Sequence, residues 1–170
     1  MNTIETIYAR RSIRKYQDRP VETEKLELLL KAAMAAPSAM NRQPWEFVVV
    51  TNPETMDKIR CSLMFGKHNA PAAIVVCGNT SIFKKIKPAE FWVQDCSAAT
   101  ENILLAAVEL GLGTVWLGVH PVYNFTKRIS ALLGLPDHIT PLGVIYVGYP
   151  DEEKPPRTQY DPDKVHWESF

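Results

Sequence analysis

The sequence predicts an α+β chain built on one central sheet with helices on both faces. The predicted order is helix, helix, strand, helix, strand, long helix, strand, helix, strand and an extended tail, and such intermingling suits a single sheet covered on two sides. Two helices precede the first strand, whereas a dinucleotide-binding domain opens on a strand. The run Leu142 to Tyr149 is apolar with little polar alternation, the pattern of a strand buried on both faces. With 170 residues the chain is long enough for one cored domain and too short for two ordinary ones. No repeat or linker interrupts it, so residues 1–170 are expected to form one domain whose last stretch, 150–170, is an extended tail.

Each element has a local reason. Ile4, Ile7 and Tyr8 mark a short opening helix, capped by Asn2 or Thr3 and ending near Arg10. Thr23 is the expected N-cap of the second helix, with Glu24 in its first turn. Leu26, Leu29, Leu30, Ala33 and Met34 then recur at the spacing of one buried stripe, and Pro37 stops the helix. Trp45 to Thr51 reads as a strand, and Pro53 opens a helix running to about Leu63. Ala72 to Cys77 is a short apolar strand, followed by a lysine-bearing segment, Gly78 to Glu90, that reads as a solvated loop. Phe91 to Leu110 is a long helix, apolar on more than one face, and Gly111 and Gly113 end it. A helix of that kind must be covered nearly all round, which a chain of this size can barely do alone, so a partner subunit is expected on one side. Thr114 to Val119 is a strand. Val122, Phe125, Ile129, Leu132 and Leu133 form an amphipathic helix ended by Gly134 and Pro136. In the tail, Pro150, Pro155, Pro156 and Pro162 preclude helix, while Tyr160, Trp167 and Phe170 are unfavourable in water, so the tail is expected to lie on something.

Composition excludes several classes. Apolar residues at 46% and charged residues at 22% rule out a disordered chain, a collagen and a coiled coil. Lys plus Arg is 19 and Asp plus Glu is 19, so no basic excess is available for duplex binding. Cys61, Cys77 and Cys96 are too few for a disulfide framework, and Cys77 and Cys96 fall in apolar stretches, as reduced thiols do in a cytoplasmic protein. The N-terminus reaches charged residues with no apolar signal segment. Asp95, Glu101 and Glu109 make the longest apolar stretch a poor membrane span. His68, His120, His138 and His166 have no metal-ligand spacing, and no nucleophile elbow or phosphate loop is present. Gly111-Leu112-Gly113 follows a helix, precedes a strand and has Trp116 at the sixth position, so it is a helix C-cap and turn and not a nucleotide fingerprint.

Four motifs could carry binding. Arg10, Arg11, Ser12 and Arg14 at a helix-to-loop junction suit a phosphate, or form a solvated patch at a helix C-terminus. Ser38, Asn41 and Gln43, in the loop from Pro37 to Pro44, offer hydroxyl and amide groups to the edge of a flat heterocycle; taken alone, a self-satisfied turn is the simpler account. Gly118 ends an apolar strand, where backbone can approach a ligand or the strand simply stops. Arg157 in the tail is a fourth cation, ordinary as a surface residue. Together they suit a phosphorylated flat ring system, and a redox cofactor that carries its own chemistry fits better than hydrolysis.

With these stretches in view the chain resembles the FMN-dependent nitroreductase family in its short form. The matching segments are RRSIRKY (10–16), APSAMNRQPWEF (36–47), FWVQDCSAATENILLAA (91–107), GLGTVWLGV (111–119) and GYPDEEKPPRTQYDPDKVHW (148–167). The resemblance implies a central mixed β-sheet flanked by helices, and a homodimer with two FMN molecules at the subunit interface and each tail wrapping the partner. It implies that Arg10, Ser12 and Arg157 hold the phosphate and ribityl chain, that Arg11 adds charge or backbone contact, and that Arg14 reaches the pyrimidine side. Ser38, Ala39 and Asn41, on a loop shaped by Pro37, would come from the other subunit. Trp116, Leu117 and Gly118 would lie along the ring, with the Gly118 amide near flavin N5. Pro155 stands where some longer relatives have a lysine, and Lys67 or Asn69 in the short 64–71 segment would meet the flavin.

The implied activity is reduction of FMN by NADH or NADPH and ping-pong transfer to a nitroaromatic, a quinone or a similar small acceptor. No metal, membrane or nucleic acid takes part, and no protein group serves as catalyst. The alternatives are another flavin reaction on the same fold (flavin reductase, dehalogenase or enone reductase) and a non-catalytic anion- or nucleic-acid-binding module built on the Arg10 to Lys15 cluster.

Overall fold

The computed structural model describes residues 1–83 and 90–170. Its elements follow the expected order: α1 (Thr3–Ala9), α2 (Thr23–Met34), β1 (Trp45–Val50), α3 (Pro53–Ser62), β2 (Ala72–Asn79), α4 (Phe91–Glu109), β3 (Gly113–Gly118), α5 (Tyr123–Leu133) and β4 (Ile139–Gly148). Asn2 caps α1 in a reciprocal capping box with Glu5. The cap of α2 is a correction: Glu22, not Thr23, precedes the first turn and makes no side-chain cap bond. Its carboxylate is taken by the Tyr149 hydroxyl and the Arg19 guanidinium, which together hold it down at about 2. The stripe on α2 is narrower than its spacing suggested, with Leu26, Leu29 and Ala33 buried and Met34 exposed.

The sheet order is β1-β2-β4-β3, and all three ladders are antiparallel. The expectation of a mixed sheet is corrected accordingly. Parallel pairing enters through one isolated bridge, Ser12 to Thr114, where the irregular basic segment runs beside the outer edge of β3. Two strands exceed their expected bounds for one reason. β2 continues through Gly78 and Asn79 because Trp45 pairs with Gly78 and Asn79 with Ile139. β4 starts at Ile139 despite Pro141, because the register shifts between Val76 and Cys77, opposite that proline. The expected loop from Gly78 therefore begins as strand and a 3-10 turn, Thr80–Phe83, and its lysine-rich part lies outside the described residues.

Strand alternation sorts the interior into two layers. Ile74, Val76, Ile145 and Val147 pack with α2 and α4 on one face. Ala73, Val75, Val144 and Tyr146 pack with Met56 and Ile59 of α3 and Ile129 of α5 on the other. β4 is buried from Leu142 to Gly148, as its unbroken apolar run required. On α4 only Gln94, Glu101 and Glu109 are exposed. Burial pushes the Cys77 and Cys96 thiols up to about 12, so both remain protonated and inert. The tail is extended apart from a 3-10 turn, Pro162–Lys164.

Candidate flavin site

The bridge between Ser12 and Thr114 sets the register of the site. It is fastened by the Ile13 N–H donating to the Thr114 carbonyl at 2.8 Å. Two residues further on each segment, Arg14 and Trp116 line the same cavity, of about 470 Å³. Its floor is Val115 to Gly118, one wall is Met64, Phe65, Lys67 and His68, and Phe125 of α5 closes an end. That volume lies in the range of small-molecule sites, ~300–1,000 Å³.

At Gly118 the cavity reaches bare backbone, since a Cβ there would meet nothing within 4 Å. Opposite it in the ladder, Gly143 is closed off by the Trp116 indole, whose Nε1 would lie 2.3 Å from an added Cβ. The Trp116 indole thus reaches over Gly143 of β4, beside an open Gly118. The cavity lining contains no carboxylate but two cations, Arg14 and Lys67. Among the described residues the Lys67 ammonium has no hydrogen bond or ion pair. Burial pushes the His68 imidazole below its ordinary value, and the Arg14 charge pushes the same way, so His68 adds no charge near neutral pH.

The wall carrying Lys67 is pinned from three sides. Tyr146 on β4 donates its hydroxyl to the Gly66 carbonyl at 2.9 Å. Arg60 on α3 donates Nε to the His68 carbonyl at 2.8 Å and Nη2 to the Ala70 carbonyl at 2.7 Å. Asn69 pairs with Tyr16 like a neighbouring strand: its Oδ1 accepts from the Tyr16 N–H at 3.1 Å and its Nδ2 donates to the Tyr16 carbonyl at 2.6 Å. Lys67 and Asn69, left together in the sequence reading, separate here. Lys67 faces the cavity, and the Asn69 amide joins the segment carrying Lys67 to the segment carrying Arg14.

The other expected site residues are distributed around this cavity. Arg10 forms an ion pair with Glu101 of α4, at 3.8 Å. Arg11 donates to the Pro155 carbonyl and lines a smaller hollow of about 220 Å³ behind the motif. Arg157 is brought to the same end of α1 by its N–H, which donates to the Tyr8 carbonyl at 3.0 Å. The loop with Pro37, Ser38, Ala39 and Asn41 packs on α4 and does not line the cavity. Its Ser38 Oγ accepts from the Gln43 N–H, and Gln43 donates to Asn41.

Two residues escaped the sequence reading. Lys154 folds back so that Nζ donates to the Ser12 carbonyl at 2.6 Å, one residue before the proline at the expected lysine position. Glu152 accepts from the backbone N–H groups of Arg14 at 2.6 Å and Lys15 at 3.3 Å, and from Lys154 at 3.0 Å. The Arg14 N–H holds its carboxyl below the ordinary carboxylate value, and the Lys154 charge adds to this. The tail segment Glu152 to Arg157 thus organises the basic motif from 137 to 144 residues away. The only signal for this was a lysine among acids and prolines.

The sequence profile of the nitroreductase family matches residues 7–66 and 61–149. The chain belongs to the nitroreductase family. Family relatives cover it almost end to end. A protein of Archaeoglobus fulgidus, provisionally named NADH dehydrogenase/NAD(P)H nitroreductase, is 48% identical over 172 residues, 98% of either chain. An FMN-dependent nitroreductase of Clostridium difficile superposes with a TM-score of 0.89 at 37% identity, covering 98% of this chain and 99% of that one. A nitroreductase-type protein of Desulfovibrio desulfuricans, solved in complex with FMN, superposes with a TM-score of 0.83 at 28% identity over 100% of this chain and 98% of that one. No helix among the described residues is long and apolar enough to cross a membrane.

Proposed function

We propose that this chain is an FMN-dependent NAD(P)H oxidoreductase that acts as a homodimer on a nitroaromatic, a quinone or a similar electron-poor acceptor. The observation that carries the reading is the cavity itself. Bare backbone at Gly118, the Trp116 indole beside it and two cations with no lining carboxylate fit a planar, phosphorylated, electron-accepting ring. FMN, when bound, would supply the hydride chemistry between NAD(P)H and the acceptor. Arg14 and Lys67 favour negative charge at their end of the cavity, and preorganised cations of that kind cost no reorganisation during reaction. Leu117, Val115 and Phe125 exclude water from the ring face, while Met64 and Phe65, mostly exposed, border an opening for nicotinamide and acceptor in turn. Ser12, Arg10, Arg11, Arg157 and Lys154 gather where the phosphate end belongs. Ser38, Ala39 and Asn41, which do not line the chain's own cavity, serve the cavity of the second subunit.

Purified protein is expected to be yellow, with one FMN per chain. Arg10→Ala should lose flavin far more readily than Arg42→Ala, and equal flavin content in both would overturn the role of the basic motif. Parallel double-reciprocal lines for NAD(P)H and a nitroaromatic are expected. An acceptor screen of the reduced enzyme separates this reading from flavin reductase, dehalogenase or enone reductase activity. The non-catalytic anion-binding alternative predicts a colourless protein that gains no flavin absorbance on adding FMN.

A further inference from the structure

Asp95 sits in the second turn of α4 and is only 5% exposed. Its Oδ1 accepts from the Ala39 N–H at 2.9 Å, and its Oδ2 has no hydrogen-bond partner among the described residues. A buried carboxylate with one oxygen orphaned opposes folding, because it has left water without full compensation. A residue held against the interest of stability points to a function at its contact.

That contact is a strained loop. Met40, Asn41 and Gln43 have φ of 51°, 52° and 48°, and none is glycine. Left-handed backbone at three of four successive residues persists only where the surroundings over-determine it. Most of the loop's bonds are internal: Asn41 N–H to Ser38 O, Arg42 N–H to Ala39 O, and Gln43 N–H to Ser38 Oγ. Internal bonds give the loop a shape but do not anchor it to the sheet and helices. Two bonds do so among the described residues. One is at its end, from Asn79 N–H to the Pro44 carbonyl, and the other is Asp95 at the first residue of its turn.

We propose that Asp95 is a positioning residue that anchors the 38–43 loop to α4 in the shape that meets FMN. This rests on the reading that Ser38, Ala39 and Asn41 contact the flavin. Asp95 itself touches no ligand; it acts through the Ala39 amide, and its requirement is a carbonyl-type acceptor at Oδ1 and not its charge.

The test uses full-length Asp95→Ala and Asp95→Asn, with Thr100→Val as a control on the same helix. Thr100 is equally buried, bonds only to the Cys96 carbonyl and does not reach the loop. In protein stripped of FMN, Asp95→Ala is expected to raise the exchange rate of the Ala39 amide at least tenfold. Its FMN Kd should rise at least tenfold while its thermal midpoint stays at or above that of the parent. Asp95→Asn, which retains the acceptor, should return both readouts to within threefold, and Thr100→Val should leave both unchanged. Parent-like exchange and affinity in Asp95→Ala overturn the proposal. So does an Asp95→Asn protein as impaired as Asp95→Ala. An Asp95→Ala protein that is unfolded or clearly less stable overturns it too, by making Asp95 a folding residue. A parent protein that binds no FMN defeats the functional reading instead, and amide exchange then still decides whether Asp95 anchors the loop.

Discussion

Gly118 and Gly143 face each other across β3 and β4, yet replacing them should have opposite consequences. An added Cβ at Gly118 enters the cavity without touching the chain, so Gly118→Val is expected to keep its thermal midpoint within a few degrees and to purify without flavin. At Gly143 the same atom collides with the Trp116 ring, so Gly143→Ala should destabilise by about 1–3 kcal/mol and shift Trp116 fluorescence. Thermal melts with flavin absorbance on the same samples check both. Lys67 gives a third test at this scale. On the proposed placement of the flavin, Lys67, which has no partner among the described residues, would stabilise the reduced, anionic form, so Lys67→Ala should make the flavin midpoint potential more negative. A glycine at a strand end and a lysine in a short loop were visible in the sequence. Which glycine is bare and where the lysine points were not, since both depend on what packs opposite.

At the scale of elements, the tail and the basic motif are tied through Glu152. Its folded value lies below the ordinary one, so the stability it contributes is complete above the unfolded carboxyl value near about 4.3 and is lost as pH falls through the lower folded value. Wild-type protein should therefore exceed Glu152→Gln in stability near neutral pH, with the gap closing as both are titrated below pH ~4. Acid-unfolding curves followed by circular dichroism measure it; a constant gap across the titration would contradict the assigned role. The helices and strands themselves were readable because capping, proline and apolar spacing are local. The misread α2 cap shows the limit of that method. Glu22 was claimed by Tyr149, 127 residues away, so the local preference for Thr23 as cap did not decide the helix start. The start of β4 at Ile139, three residues before the expected Leu142, is a second case, because the irregularity opposite Pro141 tolerates what a regular strand would not.

For the whole molecule, the exposed apolar surface is the main unresolved quantity of a single chain. Trp167 is 83% and Tyr160 74% exposed, Phe170 is fully so, and Ile4, Ile7 and Tyr8 leave one face of α1 open. Such surface, spread over a tail and a neighbouring helix, suits a second copy of the chain. On the proposed dimer, in which the 38–43 loop of one subunit serves the cavity of the other, removing residues 158–170 is expected to convert a dimer into a monomer in sedimentation velocity and to release most of the FMN. A truncated protein that stays dimeric and yellow would limit the tail to a solvated appendage.

By itself the sequence determined the order of elements, the two apolar faces of the sheet, and a basic motif, an amide loop and a glycine-ended strand suited to one cofactor. Those are consequences of spacing along the chain, where backbone geometry repeats every few residues. The tertiary structure alone decided which cations meet in the cavity, that Asn69 links two segments, that Lys154 returns to Ser12, and that Asp95 holds the 38–43 loop. Each of those joins residues 53 to 142 positions apart. Only packing in three dimensions sets such distances.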